Sequence, residues 1–252
     1  MKLYVITGAS RGLGAALAEG LIDPGHRLIC MARSKAPLVA LRKRAKAQGC
    51  RVTALAVDLS DPAAAASALK KALAGIDQSN CISACLINNA GVVEPIGPAD
   101  KLLPGEISAG IQVNLAAPMA LTGVFLRQTA SWSASRRVLN ISSGAAHTAY
   151  AGWSLYSATK AALDQFTRCL ALEQSALPNG AKVVALAPGM IDTAMQAAVR
   201  SANAADFAEL PRFIAFKTSG QLPSPQDAAK RVLRYLERAD FGAMPVDDVR
   251  KL

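Results

Sequence analysis

A phenol and an ammonium stand four residues apart in Tyr156-Ser157-Ala158-Thr159-Lys160, a spacing that puts both on one face of a helix. A free phenol has a pKa of about 10, so near neutrality only about one molecule in a thousand is ionised and proton exchange with an alcohol is slow. Lowering that value by two or three units takes about 3–4 kcal/mol, which one cation about 4 Å away supplies at an effective dielectric of about 20. Lys160 is the candidate cation, helped by a positively charged ring such as an oxidised nicotinamide. Tyr156 is then expected to be a general acid for ketone reduction. Ser143, thirteen residues earlier, is expected to hold the substrate oxygen.

A second set of residues could hold the hydride donor. Thr7-Gly8-Ala9-Ser10-Arg11-Gly12-Leu13-Gly14 follows an apolar strand and leads into Ala15-Ala16-Leu17-Ala18. Glycines let backbone amides approach a phosphate, and a helix opening at Gly12 directs its free N–H groups at that anion. The spacing is Gly-x3-Gly-x-Gly rather than Gly-x-Gly-x2-Gly, so its weight comes from its place at the first β-to-α junction. The second strand ends Met31-Ala32-Arg33-Ser34, without the acidic residue that would accept hydrogen bonds from ribose hydroxyls. Arg33 and Arg11 are expected to clamp a 2′-phosphate instead, which predicts NADPH over NADH.

The elements that must position these residues alternate almost from end to end. Strands read at about 2–7, 27–32, 51–57, 83–88, 137–141, 182–187 and, weakly, 243–247; helices read at about 12–22, 36–48, 62–75, 104–130, 154–175 and 225–239. The strands are short, nearly continuous in apolar residues and followed by Gly, Asn, Asp or Ser, as parallel strands covered on both faces are. The expectation is an α/β fold: a doubly wound, parallel, seven-stranded, Rossmann-like sheet in a single domain over 1–252. Its ligands belong beyond the carboxyl ends of the strands. No repeat or linker divides the chain. The stretch 188–224, with Met190, Met195, Phe207, Leu210, Phe213 and Phe216, is expected to be a substrate lid. Trp153, Met190, Met195, Phe213 and His147 are candidates for an apolar slot suited to an aromatic or hydrophobic carbonyl compound. The long helices 104–130 and 154–175 are expected to pack on the sheet and to offer a homodimer or homotetramer surface.

Several ordered motifs then combine. Thr7-Gly8-x3-Gly12-x-Gly14, Asp58-Leu59, Asn88-Asn89-Ala90-Gly91, Asn114, Ser143, Tyr156-x3-Lys160 and Pro188-Gly189 together resemble the short-chain dehydrogenase/reductase family from residue 1 to about 240. The resemblance implies hydride transfer between NAD(P)H and a carbonyl or alcohol, with Ser143, Tyr156, Lys160 and Asn114 as a catalytic tetrad. It implies that Lys160 also binds the nicotinamide ribose and that Asn114 holds a water linking Lys160 to solvent. Asp58 and Leu59 would border the adenine, Asn89, Ala90 and Gly91 the adenine-side ribose and backbone, and Ile191 and Thr193 the carboxamide. Within the family, Gly152 to Tyr156, Ala187 to Gln196 and Asp206 to Phe216 resemble the branch of benzil reductases and sepiapterin reductases. Benzil reductases convert one carbonyl of an aromatic 1,2-diketone to an (S)-hydroxyketone. Where the pterin enzymes use a carboxylate near the C-terminus, this chain has Val246-Asp247-Asp248, which does not align uniquely.

Composition excludes other classes. With 252 residues and 52% of them apolar, the chain is neither disordered nor low in complexity, and no uninterrupted apolar run approaches the roughly 18 residues of a membrane span. Five Cys in mostly apolar surroundings and two His offer no metal-ligand spacing; they suggest reduced thiols in a cytoplasmic protein. The charge of +10 includes Leu41-Arg42-Lys43-Arg44-Ala45-Lys46 and Arg51, a run without interleaved aromatics that reads as solvated helix rather than a nucleic-acid surface. A rival reading, a nicotinamide-sensing protein without turnover, is opposed by the intact Asn114, Ser143, Tyr156 and Lys160.

Overall fold

Runs such as Leu3-Tyr4-Val5-Ile6 present no polar face, so the strands they form need cover on both sides. The computed structural model, which describes residues 1–251, supplies it. In chain order the elements are β1 (Lys2–Thr7), α1 (Gly12–Gly20), β2 (His26–Ala32), α2 (Lys35–Ala47), β3 (Arg51–Ala56), α3 (Pro62–Ala74) and β4 (Ser83–Asn88). The second half follows with α4 (Pro104–Ile111), α5 (Ala117–Gln128), β5 (Ser135–Ile141), α6 (Ser154–Ser175), β6 (Lys182–Ala187), α7 (Ala194–Arg200), α8 (Leu210–Thr218), α9 (Pro225–Glu237) and β7 (Val246–Asp248). All seven strands are parallel, in the order β3-β2-β1-β4-β5-β6-β7. The order reverses between β1 and β4, which opens a crevice at their carboxyl ends.

Two apolar layers hold the sheet. On one face Leu17, Leu38, Val232 and Tyr235 from α1, α2 and α9 meet Ile6, Leu28 and Cys30. On the other, Leu69, Leu73, Leu121, Phe125 and Leu170 from α3, α5 and α6 meet Val5, Ile29 and Leu86. A buried amide chain runs between helices under the crevice. Asn88 Nδ2 donates to Thr122 Oγ1 at 3.0 Å and to Asn140 Oδ1 at 2.8 Å, and Asn140 Nδ2 donates to Thr167 Oγ1 at 2.8 Å. It fixes α5 and α6 against β4 and β5, where an apolar contact would allow sliding.

Two details differ from the sequence expectation. The helix expected over 104–130 is two α-helices joined by a π turn at Gln112–Ala116. Pro118 lacks an N–H, so the Asn114 carbonyl loses its α-helical donor and the ladder widens there. The weak strand expected at 243–247 forms at Val246–Asp248, at the edge of the sheet. The 188–224 stretch holds α7 and α8, whose Val199, Leu210 and Phe213 bury a small cluster with Trp153 and Phe207. Pro104–Gln128 is long and apolar enough to cross a membrane, yet its Leu121, Val124 and Phe125 are packed on the sheet.

Four buried thiols make the core sensitive to alkali. Burial pushes Cys30 and Cys85 from 9.0 up to about 12, and Cys50 and Cys81 move the same way. A folded-state pKa above the unfolded one leaves stability intact below about pH 9 and removes it as pH rises toward about 12. The urea midpoint of the wild type is therefore expected to fall more between pH 7.5 and 10 than that of a Cys30→Ala/Cys85→Ala variant under reducing conditions. Equal falls would contradict this.

Candidate active site

The crevice is a single cavity of about 1310 Å³. Its cofactor-sized half is walled by Gly8, Ser10, Arg11, Gly12, Leu13, Gly14, Arg33, Asp58, Leu59, Asn89, Ala90 and Gly91. Its other half has Ser143, Trp153, Tyr156, Lys160, Pro188, Gly189, Met190, Ile191, Thr193, Met195 and Phe213. Two residues expected at the site lie elsewhere: Asn114 stands buried behind the wall, and His147 faces Asp164 outside it.

The glycines are needed for shape. Gly8 and Gly12 have φ of +69° and +55°, in the left-handed region that disfavours side chains. A Cβ on Gly8 would lie 2.9 Å from Asn89 Nδ2, and one on Gly14 would overlap the Gly8 carbonyl and the Asn89 side chain. Thr7 ties the same turn to β4: its Oγ1 accepts from the Asn89 and Ala90 amides at 2.9 and 3.0 Å, and its carbonyl accepts from Asn89 Nδ2 at 2.9 Å. α1 opens at Gly12 with no side-chain cap, so its first N–H groups face the cavity unsatisfied by the chain. A Cβ on Gly12 would stand 3.3 Å from Thr193 Cγ2, which shows how closely the turn faces the segment after β6. Arg11 and Arg33 are exposed, and among the described residues neither forms an ion pair. Asp58 accepts from the Ser60 amide at 2.9 Å, and Asp61 is the residue that caps α3, accepting from the Ala64 amide at 2.9 Å.

At the reacting end, α6 carries Tyr156 and Lys160 on its sheet-facing side, 8% and 4% exposed. Lys160 Nζ donates to the Ile141 carbonyl at 2.8 Å and lies 5.9 Å from the Tyr156 ring centre. Burial pushes the ammonium from 10.5 down to about 8, against the pull of Asp164. Burial also pushes the phenol up, opposed by hydrogen bonding with Ser143. In the polypeptide alone, burial therefore acts on the phenol in the direction opposite to the expected depression. Ser143 also caps the 3-10 turn Gly144–Ala146, accepting from the Ala145 amide at 3.2 Å.

Asn114 is spoken for. Its Oδ1 accepts from the Val92 amide at 2.8 Å, and its Nδ2 donates to the Val92 carbonyl at 2.9 Å and to Thr159 Oγ1 at 3.2 Å. A Cβ on Gly91 would lie 3.3 Å from Asn114 Oδ1 and 3.6 Å from Lys160 Nζ, so the segment after β4 runs between the two.

The substrate-sized half is aromatic. The Trp153 ring centre lies 5.4 Å from Tyr156, 5.0 Å from Phe207 and 5.2 Å from Phe213. Sequence reasoning missed the wall formed by Val92, Val93, Ile96, Val113, Arg212 and Arg250. Only their position after β4, in a helix or near the C-terminus could have hinted at them. Asp247 accepts from the Tyr235 hydroxyl at 3.0 Å and Asp248 pairs with Arg250; neither carboxylate lines the cavity.

A dinucleotide-type crevice beside a buried Tyr-x3-Lys pair defines an oxidoreductase of a known class. The short chain dehydrogenase family model matches residues 2–204, and the chain belongs to the short-chain dehydrogenase/reductase family, whose members act on CH–OH and C=O groups. Benzil reductase ((S)-benzoin forming) of Bacillus cereus is 38% identical over 96% of this chain and 96% of its own. Sepiapterin reductase of Meriones unguiculatus is 33% identical over 94% of this chain and 92% of its own. Among solved structures, a short-chain dehydrogenase from Sphingobium yanoikuyae in complex with NADPH superposes with a TM-score of 0.75 at 27% identity, covering 98% and 87% of the two chains.

The packing of the glycine turn yields a direct test. Gly14→Ala is expected to lower stability by about 1–3 kcal/mol, since the overlapping atom on one side is backbone and cannot swing away. Urea denaturation measures it, and a variant as stable as the wild type would contradict the packing.

Proposed function

We propose that the protein is an NADPH-dependent carbonyl reductase that delivers hydride to one carbonyl of a hydrophobic ketone, with an aromatic 1,2-diketone as the preferred class. The observation that carries this reading is the continuity of one cavity from the glycine cradle to an aromatic chamber that contains Tyr156, Ser143 and Lys160. The names of the benzil reductase relatives support it, as does the NADPH complex of the Sphingobium structure.

The chain's own groups fit the cofactor. Gly8 and Gly14 let the turn close on Asn89 and Ala90 where any Cβ would collide, and the uncapped start of α1 that this turn leads into lines the cavity and offers N–H groups to a pyrophosphate. Arg11 and Arg33 would take the 2′-phosphate, Asp58 and Leu59 the adenine, Asn89 to Gly91 the adjacent ribose and backbone, and Pro188, Gly189, Ile191 and Thr193 the nicotinamide end. When bound, NADPH supplies the hydride. Ser143 orients the substrate carbonyl, and Tyr156 donates the proton to its oxygen. Lys160 binds ribose and stabilises the phenolate left behind. The side chain of Asn114 is occupied, so its carbonyl, released by Pro118, is the group that would hold a relay water beside Lys160.

The 188–224 segment acts in this reading as the lid, with Met190, Met195 and Phe213 against the substrate and Trp153 behind it. Commitment of Asp247 to Tyr235 favours a diketone over a pterin, because neither Asp247 nor Asp248 lines the chamber. Exposed Ile111 and Met119 on the α4–α5 face and Leu172 on α6 support a homodimer or homotetramer through those helices. The four buried free thiols support a reducing, cytoplasmic setting.

Two measurements test the proposal. A panel of benzil-like diketones, quinones and pterins with NADPH is expected to give turnover strongest for the diketones, lost about 100-fold or more in Tyr156→Phe. Absence of turnover across the panel would contradict it. Arg33→Ala is expected to raise KM for NADPH about tenfold or more while leaving KM for NADH within about threefold. A wild type that prefers NADH would overturn the cofactor assignment.

A further inference from the structure

Asp164 is 1% exposed, carries none of the roles assigned above, and follows Lys160 by four residues on α6. One of its oxygens holds the start of the turn that displays Ser143 by a hydrogen bond, and the other lies within ion-pair distance of His147 at the end of that turn, without a hydrogen bond. The Ser142 hydroxyl donates to Oδ1, and His147 Nε2 stands 3.0 Å from Oδ2. The Ser142 amide also ties the start of the turn to β6, donating to the Leu186 carbonyl at 2.9 Å, while the His147 amide closes the turn on the Gly144 carbonyl at 3.1 Å. Ser143 therefore sits between two residues that face one carboxylate of the catalytic helix. Burying this carboxylate costs desolvation, and the buried hydroxyl of Ser142 is the donor that offsets part of it.

The charged and titratable groups facing Asp164 are Lys160 and Arg168 from its own helix and His147 from the turn; Ser142, after β5, contributes a neutral hydroxyl. Burial pushes the carboxyl up, while Ser142, His147, Arg168 and Lys160 pull it down. In return the carboxylate raises Lys160 against its own burial. The His147 side chain is 53% exposed and approaches the otherwise unpartnered Oδ2 from the solvent side.

We propose that Asp164 and His147 are positioning residues that brace the Ser143 turn against α6, with the negative charge of Asp164 steadying the Lys160 ammonium. The inference rests on the proposed roles of Ser143, Tyr156 and Lys160. It assigns no contact with substrate or cofactor to either residue.

Profiles of kcat against pH, measured on the full chain with NADPH and a diketone, test it. Asp164→Asn keeps the volume and removes the charge. Its alkaline limb of kcat is expected to move to lower pH, since Lys160 loses its proton sooner without the facing carboxylate. His147→Ala is expected to lower kcat about tenfold with KM for NADPH within about threefold, and His147→Gln, which can donate to the carboxylate, to recover most of it. An unmoved alkaline limb together with wild-type kcat in His147→Ala would overturn the brace. If Asp164→Asn fails to fold, the exposed His147 decides: loss in Ala with recovery in Gln supports the brace, and any other pattern overturns it. Tyr156→Phe in the same assay separates the two layers. Activity surviving there removes the role assignment and the brace with it; activity lost there while the brace variants match the wild type removes the brace alone.

Discussion

A lysine ammonium stripped of water is the constraint around which the reacting end is built. Lys160 is buried between α6 and the end of β5, where desolvation works against its charge. Two features oppose that: the Ile141 carbonyl accepts one of its hydrogens, and Asp164 lies one helical turn away. The phenol of Tyr156 shares the same dry environment and responds in the opposite sense, being held neutral. The polypeptide thus presents a protonated acid beside a cation whose proton burial has loosened. A small change in nearby charge acts strongly on such a pair because the surrounding dielectric is low.

The remainder of the molecule holds that pair against the glycine turn. Strand order places β1 and β4 side by side, and Thr7 fastens their ends through three hydrogen bonds with Asn89 and Ala90. From β4 the chain passes Gly91 between Asn114 and Lys160, so the cofactor half and the reacting half share one backbone segment. The Asn88–Asn140–Thr167 amide chain then ties α6 to the sheet directly beneath. Polar contacts of this kind specify a register that apolar packing leaves loose, which is what a site built on two strand ends and a helix requires.

Much of this is legible in the residues. Helical spacing alone puts Tyr156 and Lys160 together, and the apolar strand runs predict both the parallel sheet and the location of the crevice. The failures have identifiable causes. Pro118 disturbs the helix around Asn114, and a periodic pattern cannot show a π turn. His147, a candidate for the substrate slot by its sequence, lies outside the cavity and faces Asp164, a pairing that joins a helix interior to a loop seventeen positions upstream and that no local pattern shows. Spacing points to Lys160, helped by an oxidised nicotinamide, as the cation that acts on the phenol, but it cannot show the burial that pushes the phenol up, which is set by packing from α6, β5 and the aromatic cluster. β7 is three residues long at a sheet edge, too short for its pattern to fix its bounds.

In the proposed mechanism the fold keeps the Tyr156 phenol neutral until a positive charge joins Lys160 beside it. Ultraviolet difference titration of the wild type against Tyr156→Phe, with and without NADP+, measures this directly. The phenol is expected to ionise above its ordinary value of about 10 in the protein alone and below it in the NADP+ complex. The same ionisation in both states, or ionisation below about 10 in the protein alone, would contradict the account.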